Sequence, residues 1–299
     1  MFFSKKLNVL GVIWIIICVG VLVFSVIGRN YLERKYDGEM GLNMVMIGES
    51  RVAVITLRKE SSESGFMILP ENLMVKDEKN GSAYRVGSLW GLGKLEHKEG
   101  EYTMRVLGDT LGIRITAYIK VNDDSKLNAV AFGESLADLL TGTNLTLWDR
   151  YVLKGDVGVK ITKGELVETA LPEYLMENIT ELDGFSSKVI VAEKMKLYAQ
   201  KQFVFSQVLA ERVNMAIYNS SEVPGTATKM ATSMDNTGIK VVMVEKSEEK
   251  TKGCRFKVFR EGVGNTVRLL TKTYDCVEAD FRELSDKGRV DIELWTGGE

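Results

Sequence analysis

The sequence predicts an α/β protein that begins with a single membrane-spanning helix. An unbroken apolar run from Leu7 to Ile27 has no charged residue, and Asn8 is its only strongly polar side chain. After residue 41, short segments rich in β-branched residues alternate with segments of helical periodicity. This alternation is typical of layered α/β domains. We therefore expect an anchored α/β/α layer domain followed by a small α+β domain.

The N-terminal run has the length of a bilayer-spanning helix. At about 1.5 Å of rise per residue, a helix over residues 7–27 spans about 30 Å, the thickness of the hydrocarbon core. Lys5 and Lys6 precede the run, and the tail before it is short. The basic residues before the run and the absence of a small-residue cleavage site after it predict an uncleaved signal anchor. The expected orientation has a cytoplasmic N-terminus and extracytoplasmic domains in the cell membrane.

The 299 residues leave room for two domains after the anchor, and we place the boundaries at 1–41 (anchor and stalk), 42–200 and 213–299. The net charge of −2 argues against nucleic acid as a partner, because such binding needs a concentrated basic face. Cys18 lies inside the apolar run. Cys254 and Cys276 could form a disulfide outside the cytoplasm or remain two buried thiols.

Apolar and periodic segments between residues 42 and 211 predict an alternation of strands and helices. We expect strands over 42–48, 52–57, 66–70 and 113–121, and helices over 101–111 and 127–140, the first of them ended by Gly112. Further along we expect a hairpin within 155–167 around Lys163 and Gly164, a helix opening within 172–179 and mainly helix over 187–211.

Several short motifs fall in the order found in a known family. They are Met46-Ile47-Gly48, Arg51-Val52-Ala53, Ile68-Leu69-Pro70-Glu71-Asn72, the helix end at 106–113, Tyr118 to Val121, and the segment 144–149. With the N-terminal anchor, this order resembles the LytR-CpsA-Psr family. The resemblance implies an extracytoplasmic α/β/α domain whose arginines and aspartates grip a polyprenyl diphosphate and its magnesium, and whose activity is glycopolymer transfer to the cell wall.

The departures from that pattern decide the functional prediction. The family's Pro-Arg-Asp position reads Pro70-Glu71-Asn72, and the Asp of its Arg-x-Asp position is Ala53. Arg51 alone survives among the matched charged residues. A diphosphate needs cations around it and its metal needs carboxylates, so a site with Glu71 in place of an arginine should repel the substrate. We therefore expect a degenerate, non-catalytic relative with no cofactor.

The segment 213–299 predicts strands and helices in the order βαββαβ, that of a split βαβ domain. We expect strands over 213–218, 239–245, 254–259 and 290–294, and helices over 226–236 and 264–274. Tyr218-Asn219-Ser220, Val223-Pro224-Gly225 and the ending 291–297 resemble the LytR C-terminal domain, which has no catalytic residues. Its implied ligand is in the cell envelope.

Other candidate sites have simpler interpretations. His97, the sole histidine, lies in a charged segment without a partner for catalysis. The glycine-rich segment 87–93 lacks the Lys-Ser/Thr of a phosphate loop and is expected to be a flexible turn. Pro224 and Gly225 could present amides to an anion, but a tight turn before a helix is the expected role.

The sequence thus predicts a single-pass, extracytoplasmic protein that binds or scaffolds at the cell wall, with the membrane and peptidoglycan or envelope proteins as partners. The alternative is a divergent glycopolymer phosphotransferase that attaches lipid-linked glycopolymer to peptidoglycan, with Arg51 as its catalytic residue and Mg²⁺ as its cofactor. A third possibility is a purely structural partner of another membrane protein.

Overall fold

The computed structural model describes residues 9–36, 38–59, 64–138, 140–181, 184–279 and 290–297. Its first helix, α1, spans Val9–Leu32, so the first two residues of the predicted anchor lie outside the described residues. A search of the described residues finds no helix with both the length and the apolar character needed to cross a membrane.

The other helices and the strands follow in alternation. The helices are α2 (Leu89–Leu95), α3 (Glu99–Leu111), α4 (Ala129–Ser135), α5 (Leu147–Thr162), α6 (Ala192–Gln202), α7 (Ser206–Glu211), α8 (Thr226–Thr237) and α9 (Gly264–Thr273). The strands are β1 (Leu42–Ile47), β2 (Val52–Leu57), β3 (Gly65–Ile68), β4 (Leu73–Lys76), β5 (Ala83–Arg85), β6 (Ala117–Lys120), β7 (Gly142–Thr143), β8 (Val167–Ala170), β9 (Met176–Thr180), β10 (Ser186–Ile190), β11 (Asn214–Asn219), β12 (Lys240–Lys246), β13 (Cys254–Val258), β14 (Val277–Glu278) and β15 (Ile292–Thr296). Three-residue 3₁₀ turns occur at Val86–Ser88, Asp124–Lys126 and Glu173–Leu175.

A six-stranded sheet in the order β7-β6-β1-β2-β3-β8 forms the centre of the first domain. Every residue of β1 and β2 is buried, which explains why these strands are apolar at every position except Asn43 and Thr56 rather than alternating. Side chains from one face of the sheet pack against α3, and those from the other face pack against α4 and α5. The predicted α/β class is confirmed. A second sheet, β5-β4-β10-β9, lies beside the first.

The helix α3 ends where the sequence predicted. Gly112 takes the left-handed conformation with φ of +66°, and its N–H bonds to the carbonyl of Gly108. A side chain with a Cβ is disfavoured at such an angle. Two neighbouring predictions were too long, because the strand predicted over 113–121 is confined to Ala117–Lys120 and the helix predicted over 127–140 to Ala129–Ser135.

The hairpin predicted around Lys163 and Gly164 is wrong, since that region belongs mostly to α5. A capping box starts the helix: the Thr146 hydroxyl accepts from the Asp149 N–H, and Asp149 accepts from the Thr146 N–H. Leu153 and Val157 are then buried one turn apart on the same side. Two glycines within this helix, Gly155 and Gly158, have open space where a Cβ would lie.

The connecting region also differs in part from the prediction. The helix expected within 172–179 is the 3₁₀ turn Glu173–Leu175 followed by β9, which pairs antiparallel with β10. The stretch predicted as mainly helix, 187–211, is mainly helix, since β10 occupies only its start and α6 and α7 form most of the rest. β9 and β10 form strands because they pair with each other, and the periodicity of a single sequence does not show such pairing.

The C-terminal sheet has the order β12-β11-β15-β13-β14. The predicted split βαβ arrangement is wrong: β11 and β12 are adjacent and parallel, as are β13 and β14, so each crossover joins neighbouring strands. The last strand, β15, lies between the two pairs. Cys254 and Cys276 are joined by a disulfide with their Cα atoms 4.5 Å apart.

The segment after α1 is fixed to the first domain rather than free. The buried carboxylate of Asp149 accepts hydrogen bonds from the backbone N–H groups of Lys35 and Tyr36, at 2.9 and 2.8 Å. The Tyr36 hydroxyl donates to Asp156 at 2.7 Å. Further on, Met40 packs into the core of the C-terminal domain. The predicted stalk therefore contacts both domains.

A buried arginine, Arg58, joins the two domains. Its guanidinium donates to the Asn43 side chain at 2.8 Å and to the Phe203 carbonyl at 2.9 Å, and it lies 3.7 Å over the ring of Phe205. Phe205 belongs to the C-terminal core, whereas Asn43 belongs to β1. This side chain thus forms hydrogen bonds with the first domain and the connecting segment and stacks on an aromatic ring of the C-terminal core.

A second buried charge stabilises the sheet β5-β4-β10-β9. Asp77 accepts two hydrogen bonds from Arg105, at 2.7 and 3.2 Å, and one from the Tyr102 hydroxyl at 3.0 Å. The hydrogen bonds from Arg105 outweigh the opposing effect of burial and lower the pKa of Asp77 from 3.8 to about 2. Burial and the Asp77 hydrogen bond raise the pKa of Tyr102 to about 12.

This network predicts a pH dependence of stability. Because the pKa of Asp77 is lower in the folded chain than in the unfolded chain, its contribution is present above pH 3.8 and is lost as the pH falls towards about 2. Asp77→Asn should lower the free energy of unfolding at pH 7 by about 2 kcal/mol and weaken this acid dependence. Urea unfolding across pH measures both. Asp275→Asn, at an exposed aspartate, is the control. An equal loss of unfolding free energy in that variant would contradict the stabilising role of Asp77.

Candidate functional site

The candidate site lies at one edge of the six-stranded sheet, around the turn that joins β1 to β2. The N–H of Gly48 bonds to the Arg51 carbonyl at 2.8 Å and closes this turn. β1 and β6 are parallel neighbours, so the residues after both strands meet at this edge. Loops at the carboxyl ends of parallel strands are common binding sites in α/β proteins.

Asp124, from the loop after β6, holds the turn in place. Its carboxylate accepts from the Glu49 N–H at 2.7 Å and from the Ser50 hydroxyl at 2.6 Å. A Cβ on Gly48 would lie 1.9 Å from Asp124 Oδ1, so this close approach requires glycine. Burial raises the pKa of Asp124, but the hydrogen bonds outweigh burial and keep it below its usual value. The carboxylate is therefore ionised and already bonded.

Arg51 and Glu71 form an ion pair at the same edge. Arg51 Nε lies 3.4 Å from Glu71 Oε1, without the alignment of a hydrogen bond. The side chains are 38% and 64% exposed, so solvent reaches both. Glu71 lies at the position where the family that the motifs resemble has an arginine. In the structure, Glu71 pairs with Arg51, the matched arginine that this chain retains. Asn72, the next residue, donates to the Ser186 carbonyl at 3.2 Å instead of entering the site.

A second cation, Lys120, lies at the end of β6. Its ammonium donates to the carbonyls of Gly48 and Val121 and lies 5.7 Å from the ring of Trp90. Burial lowers the pKa of Lys120, an effect that Asp124 opposes. The ammonium is thus used to fix the backbone at this edge.

The glycine-rich segment 87–93 is not the flexible turn that the sequence predicted. It forms the end of the turn Val86–Ser88 and most of α2. A Cβ on Gly87 would lie 2.2 Å from the Ser50 carbonyl oxygen, so this segment packs directly on the turn that carries Arg51. Beneath it, Ile47, Val52 and Val86 are each at most 1% exposed.

Sequence reasoning found Arg51 and Glu71 but missed Asp124, Lys120 and Trp90. A signal for Asp124 and Lys120 was present, because Lys120 is the last residue of β6 and Asp124 lies in the turn after it, and β6 pairs parallel with β1. Nothing in the sequence indicated which strands are neighbours, so this signal could not be used.

His97 lies at the end of α2 with φ of +55° and is exposed. Gly225 has φ of +83° and precedes α8 as the predicted tight turn.

Chemically, the site has its charges already matched. Arg51 faces Glu71, Asp124 accepts from a turn, and Lys120 donates to carbonyl oxygens. Among the residues that the structure describes, no group of three His, Cys, Asp or Glu side chains could hold a metal ion. The arrangement as described stabilises a turn and presents one solvent-exposed ion pair.

No protein-family model matches the chain, and no curated protein matches it. Solved structures that are similar to part of it include the following three. TagV of B. subtilis has a TM-score of 0.42 and 10% identity, covering 56% of this chain and 98% of TagV. TagT of B. subtilis has a TM-score of 0.39 and 11% identity, covering 56% and 91%. A transcriptional regulator of Enterococcus faecalis has a TM-score of 0.41 and 10% identity, covering 67% and 89%.

TagV and TagT are structures of the LytR-CpsA-Psr family, which the N-terminal motifs resemble. TagT has also been solved bound to LIIa-WTA. A likeness of this extent carries no argument about the chemistry of a site, so the contacts of Arg51 themselves must indicate its role.

Proposed function

We propose that this chain is a single-pass, membrane-anchored protein of the bacterial cell envelope that binds or scaffolds at the cell wall and catalyses no transfer. The observation that carries the proposal is the ion pair between Arg51 and Glu71. Among the residues that match the family's diphosphate-binding motif, Arg51 is the one that is positively charged. It is paired with the carboxylate of Glu71 from the same chain.

Electrostatics favours this interpretation over the enzyme. A diphosphate bound to the guanidinium of Arg51 would lie beside the carboxylate of Glu71, which is 3.4 Å from Arg51 Nε, and this carboxylate would repel it. Catalysis of transfer requires preorganised cations or a metal at the position where charge develops. Two of the three N–H groups of the Lys120 ammonium donate to backbone carbonyls, and the carboxylate of Asp124 accepts from the turn. Both charges therefore hold the backbone of this edge rather than being preorganised around a phosphate or magnesium.

The membrane anchor in residues 7–27 and the extracytoplasmic location of the domains are part of the proposal. The apolar run, the preceding Lys5 and Lys6, and the disulfide between Cys254 and Cys276 support them. Disulfides persist in oxidising compartments and are rare in the cytoplasm. We retain 1–41, 42–200 and 213–299 as the domains. The last resembles the LytR C-terminal domain and is proposed to contact peptidoglycan or another envelope protein.

The proposal predicts how the site responds to charge changes. The purified full chain in detergent should show no binding of geranylgeranyl diphosphate by calorimetry and no transfer from a lipid-linked oligosaccharide to peptidoglycan. Glu71→Gln should remove the carboxylate beside Arg51 and raise diphosphate affinity by up to about fivefold, because an exposed ion pair contributes about 0.2–1 kcal/mol. Arg51→Ala in the Glu71→Gln background should remove that gain. Co-sedimentation with insoluble peptidoglycan should be unchanged in all variants.

Two results would change the conclusion. Transfer by the unmodified chain that requires Arg51 and Mg²⁺ would establish the divergent phosphotransferase instead. If the chain did not co-sediment with peptidoglycan more than with inert cellulose, the partner would be an envelope protein rather than peptidoglycan.

A further inference from the structure

We infer that the first turn of α5 is a second membrane contact, which lies on the bilayer surface beside the end of α1. The inference rests on the proposed membrane anchor. The turn carries three large side chains, Leu147, Trp148 and Tyr151, that are 56%, 39% and 75% exposed. Aromatic side chains with a polar edge concentrate at the interface between the hydrocarbon and water, where both parts of the side chain are accommodated.

The position of this turn is fixed relative to the end of α1. Trp148 packs edge-on against Tyr31 of α1, with ring centroids 5.8 Å apart, and Tyr151 packs against Trp148 at 6.2 Å. The Asp149 carboxylate binds the backbone N–H groups of Lys35 and Tyr36, only three and four residues after the end of α1. The exposed side chains therefore lie next to the end of α1, about one helical turn beyond the end of the apolar run at Ile27.

Charge at the turn is compatible with a lipid headgroup layer. Its acidic residue, Asp149, is fully buried and faces the chain after α1. The guanidinium of Arg34 lies 4.1 Å over the Tyr31 ring, and Lys154 is exposed one turn further along α5. Basic side chains beside exposed apolar ones favour a surface with anionic phosphates.

The bilayer surface is a better occupant than a second protein because the turn is continuous with the anchor. When α1 spans the membrane, the first turn of α5 lies beside the end of α1 and is therefore the part of the domain that we expect to contact the lipid headgroups. Tyr31 and Leu32, at the end of α1, are themselves 46% and 78% exposed and extend the same surface. The consequence is a two-point attachment that fixes the orientation of the domain over the membrane.

Spin labelling of the full chain tests the inference. Cys18→Ser removes the free cysteine, and Tyr151→Cys, Tyr174→Cys or Ile16→Cys then carries the label in vesicles of phosphatidylglycerol and phosphatidylethanolamine. Tyr174 is the matched control, an exposed tyrosine (63%) in the turn before β9. Collisions with oxygen and with a water-soluble nickel chelate report the depth of each label. We expect the Tyr151 label at headgroup depth, with an oxygen-to-nickel ratio several-fold above that of the Tyr174 label.

The possible outcomes separate the inference from the anchor on which it rests. A label within the hydrocarbon at Ile16 with equal ratios at Tyr151 and Tyr174 would overturn the surface contact while leaving the anchor intact. A water-accessible label at Ile16 would overturn the anchor and the surface contact together. Dipolar broadening between Tyr151 labels would place a second copy on this surface and would also overturn the inference. Both labelled tyrosines are exposed, so neither substitution removes packing from a core.

Discussion

Arg58→Ala is expected to destabilise the protein more than any other single substitution that the structure suggests, by about 4 kcal/mol. The side chain is 1% exposed, and its loss would leave the buried carbonyls of Leu57 and Phe203 without their donor. It would also remove the cation from the face of Phe205. Because Arg58 forms hydrogen bonds with the first domain and stacks on Phe205 of the C-terminal core, we expect unfolding of the two domains to separate into two calorimetric transitions where the unmodified chain shows one.

Two further variants distinguish the role of Arg58 from a general effect of removing an arginine. Arg58→Lys keeps the charge but cannot reproduce the planar set of donors, and it should recover only part of the loss. Arg114→Ala removes a half-exposed arginine whose nearest carboxylate, Asp275, is 3.9 Å away, and should cost less than about 0.5 kcal/mol. A single, cooperative transition with unchanged midpoint in Arg58→Ala would show that the domains are joined elsewhere.

Arg58 also illustrates what could and could not be predicted from the sequence. The strand that precedes it, β2, was predicted with its observed bounds, because a buried central strand is a continuous apolar run and needs no partner to be recognised. The helix ending at Gly112 carried its own stop signal. The role of Arg58 depends on Phe203 and Phe205, which are distant in sequence. No local pattern indicates such a contact.

The candidate site shows the same division. Arg51 and Glu71 were found because their residue types could be compared with a family motif. Asp124 and Lys120 were not, because their place beside the turn follows from the parallel pairing of β1 with β6. The error over α5 had a different cause. Lys163 and Gly164 suggested the turn of a hairpin, but they lie just after α5, and burial of Leu153 and Val157 under the sheet stabilises the helix over the preceding residues.

The second large effect is expected at the disulfide. Cys254→Ser with Cys276→Ser should lower the free energy of unfolding by about 3 kcal/mol, because the bond closes a loop over 22 residues of sequence and restricts the unfolded chain. Cys276 is 2% exposed and packs in the C-terminal core, so its replacement by serine also places a hydroxyl among apolar side chains. Urea unfolding of the variant and of the unmodified chain, each with and without dithiothreitol, measures the difference.

The reductant supplies the control for this prediction. Dithiothreitol should destabilise the unmodified chain by nearly the same amount and leave the double variant unchanged, while Cys18→Ser should match the unmodified chain in every condition because Cys18 is a free, exposed thiol.

The same residues also test where the domains reside. Alkylation of growing cells before lysis should leave Cys254 and Cys276 unmodified if the domains are extracytoplasmic, since an oxidising compartment keeps the bond formed. Complete alkylation of both thiols would place the C-terminal domain in a reducing compartment and would contradict the proposed orientation of the anchor.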